Sequence, residues 1–195
     1  MPRPPRIAEA DLTDAVVRVV AERGLDAVSV RTVARAAGVS AGAVQYYFPT
    51  KDALLQAAYR RVIDRVTERA TRLLPAARAK DFVRALLLEL LPLDEEREAE
   101  LRVGLAFTAR SVVSPPLAEL YAEGYRALVE ALEGALRRAV VQGEAAPGID
   151  PRREAVAAAA LADGLAGHLL CAPGALTPNE AVGALDAHVD RLMPQ

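Results

Sequence analysis

Gln45, Tyr46, Tyr47 and Lys51 place an amide, two phenols and an ammonium group within seven residues, directly after the small triplet Ala41-Gly42-Ala43. This is chemistry for recognition rather than for bond making. A carboxamide can bond an adenine edge in bidentate fashion. Phenol hydroxyls and a lysine suit phosphate oxygens, and small side chains let a backbone come close to a large partner. Ser40 precedes the triplet, and Arg31 and Thr32 lie upstream as further donors to phosphate. No acid occurs between Asp26 and Asp52. The partner that fits such a surface is a polyanion.

The charge distribution agrees. Residues 1–74 carry 12 Lys/Arg against 8 Asp/Glu, and residues 75–195 carry 12 against 18, within a net charge of −2. A basic head on an acidic body points to an anionic partner for the head alone. Catalysis finds little support. The only histidines are His168 and His188, Cys171 has no partner nearby in sequence, and HExxH, GxSxG and glycine-rich phosphate loops are absent. The run Asp94, Glu95, Glu96, Glu98 and Glu100 suits a helix start and water better than a metal. The chain is thus expected to be no enzyme, with no catalytic residue, metal or cofactor. A single cysteine excludes an internal disulfide and fits a reducing compartment. No signal peptide and no run of about 18 apolar residues is visible, so a cytoplasmic protein is expected.

These residues need positioning elements, and the sequence reads as all-α. The hydrophobic fraction is 52% with aromatics at 4%, a core of Ala, Leu and Val that favours helices. Breakers and caps divide the chain into nine helices. The first is 7–23, ended by Gly24. Ser29 caps one through Ala37, and Ser40 caps one through Tyr47. Thr50 caps a long helix with Leu55, Val62, Val66 and Leu73 on one face, closed by Pro75. Next come 81–91, apolar nearly all round, and 95–113. A long helix follows Ser114-Pro115, with Leu117, Leu120, Leu128, Leu132, Leu136 and Val140 as its stripe. One opens at Asp150-Pro151, and the last follows the capping box Thr177 to Glu180. Gly38 can take the positive φ of a tight corner between the second and third helices, and Ala34 lets them cross closely. That is a helix-turn-helix, whose second helix, 41–47, enters a major groove. Val33, Val39, Val44 and Phe48 then face inward. Ala41, Gly42, Ala43 and Gln45 face outward, Gln45 toward a base. Tyr46, Tyr47 and Lys51 meet the flanking phosphates.

Thr32 to Leu55, "TVARAAGVSAGAVQYYFPTKDALL", resembles the DNA-binding signature of TetR-type transcriptional regulators, with an AcrR-like helix-turn-helix head. Where many members have an aromatic before the tyrosine pair, this chain has Gln45, which shifts base reading to this residue. The stretch from "LLPLDEEREAELRVGLAFTARSVVSPPLAELY" through "ALADGLAGHLL" resembles the C-terminal domain of BetI-type regulators. The resemblance implies nine helices, a DNA-binding domain over 1–52 and a ligand-binding and dimerisation domain over 53–195. It also implies a homodimer joined by the last two helices, an inverted-repeat operator on double-stranded DNA, and release by a small-molecule effector.

Small residues on the penultimate helix (Ala157 to Ala160, Gly164, Gly167), with the stripe Val182, Leu185, Val189 and Leu192, suit a four-helix bundle across a two-fold axis. Polar and aromatic residues within apolar helices are the pocket candidates: Arg102, Phe107, Arg110, Tyr121, Tyr125 and His168. The alternative is a helical small-molecule-binding or structural dimer without DNA function. The acid-free head and the set Tyr46, Tyr47 and Lys51 favour the repressor.

Overall fold

The computed structural model describes residues 9–73, without the Leu73 side chain, and residues 78–194. Among them are nine α-helices: α1 (Glu9–Arg23), α2 (Val30–Ala37), α3 (Ala41–Tyr47), α4 (Lys51–Leu73), α5 (Ala79–Glu89), α6 (Glu95–Ser111), α7 (Pro115–Gln142), α8 (Pro151–Cys171) and α9 (Pro178–Leu192). Number and order match the expectation from caps and breakers. A 3₁₀ turn over Leu25–Ala27 was not foreseen. Ile7, the expected first residue of α1, and Pro75, the expected stop of α4, lie outside the described residues.

The helices sort into two compact units. The first runs to Arg65 and takes in Arg102–Leu120. Its buried side chains include Leu12, Val16, Val19, Val33, Val44, Phe48, Leu55, Phe107 and Leu117. Phe107, expected at a ligand, stacks flat on Tyr59 with ring centroids 3.8 Å apart. On the polar side of α4, Arg61 Nε and Arg65 Nη2 each donate to Asp14 Oδ1 of α1 at 3.0 Å.

The second unit holds Val66–Leu101 and the chain from Tyr121 onward. Its core gathers Phe82, Val83, Leu86 and Leu87 of α5, Val129, Leu132 and Leu136 of α7, the alanines of α8, and Leu185, Val189 and Leu192 of α9. A largely enclosed ion cluster stands beside it, with Glu100 buried and Arg69 and Glu89 half-buried. Arg69 of α4 meets Glu89 of α5 through Nε, and Glu100 of α6 through both terminal nitrogens at 3.1 and 2.6 Å.

Four sequence expectations change here. The α9 stripe does not wait for a second copy: Leu185, Val189 and Leu192 are buried in this chain's own core. Their period showed an apolar face but not what covers it. Val140 is 47% exposed, because the buried line of α7 leaves Leu136 by a three-residue step to Ala139. Helix α5 is one-sided rather than apolar all round. Lys80 reaches Asp190 at 2.8 Å and Arg84 grips Asp186 of α9 with two bonds. Helix α8 is long and apolar enough to cross a membrane by length and composition alone, which the residue count missed because alanine carries most of it. Ala155, Ala158, Ala159, Ala162 and Ala166 bury one of its faces in this unit.

His188 of α9 gives the fold a pH response. Arg191 can only donate, so the 3.0 Å contact from its Nη2 makes His188 Nδ1 the acceptor and puts the ring proton on Nε2. That nitrogen is buried with no partner among the described residues. Burial, and then the Arg191 charge, push the pKa below the ordinary histidine value, against a smaller upward pull from Glu154. The unfolded chain therefore takes up the proton first, from about pH 6.5 downward, and stability falls as the pH drops through that region. Urea unfolding of His188→Gln and wild type at pH 7.5 and 5.5 should show wild type losing more stability on acidification. An equal loss in both would clear His188.

Candidate nucleic-acid interface

The interface is built on a corner. Ser29 opens α2 with a capping box: its Oγ accepts from Thr32 N, and Thr32 Oγ1 accepts from Ser29 N at 2.9 Å. The Thr32 hydroxyl proton reaches Ala27 O at 2.6 Å, which ties α2 to the preceding 3₁₀ turn. At the other end Gly38 takes φ 69°, ψ 32°, a left-handed conformation in which a side chain is strained. Gly38 N–H bonds Arg35 O and Val39 N–H bonds Ala34 O, the paired closure of a Schellman turn. Ala36 O is taken by Arg18 Nη2 of α1 at 3.2 Å. Three sources thus satisfy the carbonyls at the end of α2, and the chain leaves in a new direction.

Ser40 caps α3, accepting from Ala43 N at 3.2 Å. The seven residues of α3 then divide cleanly. Val44 is fully buried and Phe48, just after the helix, is 4% exposed. Ala41, Gly42, Gln45 and Tyr46 are exposed and lie on one side of the helix, because positions three and four apart stand above one another. Tyr46 is 83% exposed, and Tyr47, at 41%, meets it edge to face with ring centroids 5.2 Å apart. Ala43 is half-buried. Helix α4 restarts under a Thr50 cap with Lys51 exposed at its first position.

Arg31 is exposed on α2. One turn further on stands Arg35, also exposed, which the sequence reading passed over. Helical spacing within the acid-free stretch was the signal that could have found it.

The pocket candidates are divided between the two units. Arg102, Phe107 and Arg110 belong to the first unit, and Tyr121, Tyr125 and His168 to the second. Arg102 and His168 are exposed, and Tyr121 is half-buried. Tyr125 lies against the second unit's core. Arg110 Nε donates to Asp52 Oδ1 at 3.1 Å. Among the described residues no group of three His, Cys, Asp or Glu is placed to hold a metal.

A corner of two short helices that buries Val44 and turns an amide, two phenols and cations outward defines a helix-turn-helix regulator. Comparison with known proteins makes this specific. Residues 12–58 match the family described as bacterial regulatory proteins, tetR family, and residues 79–194 match the BetI-type transcriptional repressor C-terminal domain. The chain is 30% identical over 189 residues to the HTH-type transcriptional regulator BetI of Burkholderia cenocepacia strain J2315, covering 96% of this chain and 94% of that one. It is 43% identical over 103 residues to the HTH-type transcriptional regulator PksA of Bacillus subtilis, spanning 50% of this chain and about half, 48%, of that relative. A transcriptional regulator from Rhodococcus sp. Rha1 superposes with a TM-score of 0.84 at 33% identity, covering 95% and 96% of the two chains. A regulator from Saccharomonospora viridis, solved in complex with choline, shares the fold with a TM-score of 0.87 at 23% identity and 94% and 96% coverage. The chain belongs to the TetR family of transcriptional regulators, with a BetI-type C-terminal region.

Two glycines of the corner separate folding from recognition. Gly38→Ala forces a left-handed side chain and should cost about 1–2 kcal/mol in urea unfolding. At Gly42 an added Cβ meets only Ser40 Oγ, at 3.9 Å, so Gly42→Ala should hold or raise stability, by up to about 1 kcal/mol. Equal losses in both would show that Gly42, too, is required inside the fold.

Proposed function

We propose that this TetR-family regulator acts as a homodimeric repressor, which lays α3 into the major groove of an inverted-repeat operator and leaves it when a small-molecule effector binds the BetI-type region. The observation that carries the reading is the exposed face of α3. Its small residues clear the approach, Gln45 stands where a base edge comes within reach, and Tyr46, Tyr47 and Lys51 follow toward phosphate. Arg31 and Ser40 contribute donors at the rim, and Arg35 joins them. Thr32 acts through its cap, since its hydroxyl proton is held by Ala27 O. Two copies are supported by what α8 and α9 leave uncovered after their core faces are filled: Val156, Ala157, Ala160 and Gly164 on one helix, Gly183, Ala184 and Ala187 on the other.

Selection of duplexes from a random DNA pool, with light scattering on the pure protein, tests the reading. The expected result is a dimer bound to a palindrome whose half-site centres lie about 34–36 Å apart, or a multiple of that. A stable monomer at micromolar concentration, or selected sequences without symmetry, would sink it.

The same selection separates reader from anchor. Gln45→Ala should relax preference at one position per half-site, a discrimination of about 1–3 kcal/mol. Lys51→Ala should weaken all duplexes alike and flatten the salt dependence by about one unit of slope per protomer. An unchanged preference profile for Gln45→Ala would refute base reading by this residue.

A further inference from the structure

Asp52 is the first acid after Asp26 and stands beside Lys51, at the edge of the surface read here as phosphate-binding. Its place in the first turn of α4 is favourable, because a helix start attracts negative charge. The same carboxylate, left bare, would repel the phosphates that Lys51 attracts. It is not left bare. Arg110, in the last turn of α6, donates from Nε to Oδ1 at 3.1 Å, and the Ser114 hydroxyl donates to Oδ2 at 3.4 Å. Both come from the same compact unit, yet 58 and 62 residues further along the chain. The ion pair is open to water, with Arg110 47% and Asp52 33% exposed, so it adds little to stability.

We infer that Arg110 masks the Asp52 charge from DNA, so that the basic surface from Arg31 to Lys51 meets the phosphates without an acid in its field. Arg110 is a positioning and screening residue for DNA binding, placed in the BetI-like part of the sequence, and touches no base. The inference rests on the reading of α3 and Lys51 as the DNA interface.

The test uses a duplex selected by the wild-type dimer, with fluorescence anisotropy for affinity. Arg110→Gln should bind about three- to thirtyfold more weakly at about 0.1 M salt, with the deficit shrinking as salt rises. Its base preference and unfolding midpoint should match wild type. Asp52→Asn with Arg110→Gln should return to within about twofold of wild type, since no charge then needs masking. Arg110→Lys, which keeps the cation, should stay close to wild type. A merely structural pair predicts the reverse: the double variant stays as weak as Arg110→Gln. That outcome, or an Arg110→Gln affinity equal to wild type while Gln45→Ala alters preference, overturns the masking and leaves the DNA reading intact. Failure of the wild-type protein to select any duplex overturns both.

Discussion

A guanidinium with 23% of its side chain exposed has to be met by carboxylates, and Arg69 sets that condition for three helices at once. Glu100, itself 4% exposed, takes two of its nitrogens, and Glu89 takes a third. The bond from Glu100, first, and the surrounding negative charge hold Arg69 protonated well above the ordinary arginine range, against the cost of burial. Removing one member of the set leaves a half-buried charge short of its partner, which destabilises the point where the three helices meet. Arg97 closes the cluster, reaching Glu89 at 3.7 Å and Asp94 at 2.8 Å. One residue of α4, the last of α5 and one of α6 are thus fixed at a single point. The polar side of α4 continues in the same manner toward its start, through Arg65 and Arg61 on Asp14 to Asp52 under Arg110. The pairs become more open along that course, so α4 is held most firmly near its C-terminal end and most lightly where it follows α3.

The head obeys a different rule. Its geometry rests on backbone closure: the capping box at Ser29, the Schellman turn at Gly38, and Arg18 on Ala36 O. Polar groups used this way are withdrawn from any partner, as the Thr32 hydroxyl is. Among the described residues, what remains exposed are side chains with no hydrogen bond inside the head that would have to break: Gln45, Tyr46, Lys51, and Arg31 with Arg35. Structure and recognition are divided between neighbouring residues rather than shared by the same ones.

Local features were legible in the sequence. The caps at Ser29 and Ser40, the capping box at Thr177 and the left-handed Gly38 join residues at most five apart, and each followed from residue type and spacing, whereas the return bond from Thr32 that makes Ser29 a capping box did not. The inward Val44 and Phe48 and the outward Gln45 followed from helical period. Contacts across long stretches of chain were not legible. Nothing near Arg110 names Asp52 as its partner, and nothing near Phe107 names Tyr59. Period marked the apolar face of α9 without saying that α5 and α8 of the same chain cover it. It also could not choose between Val140 and Ala139, which lie on either side of the line.

Helix α3 has seven residues, about half of what a helix needs to persist alone in water. It carries a glycine in its second position, and its inward anchors are Val44 and, just past its end, Phe48. Its order is therefore borrowed from the side chains it leans on. Local opening of such a segment draws on the few contacts nearest to it. The seven residues of α3 thus keep their shape only while Val44 and Phe48 stay seated in the first unit's core.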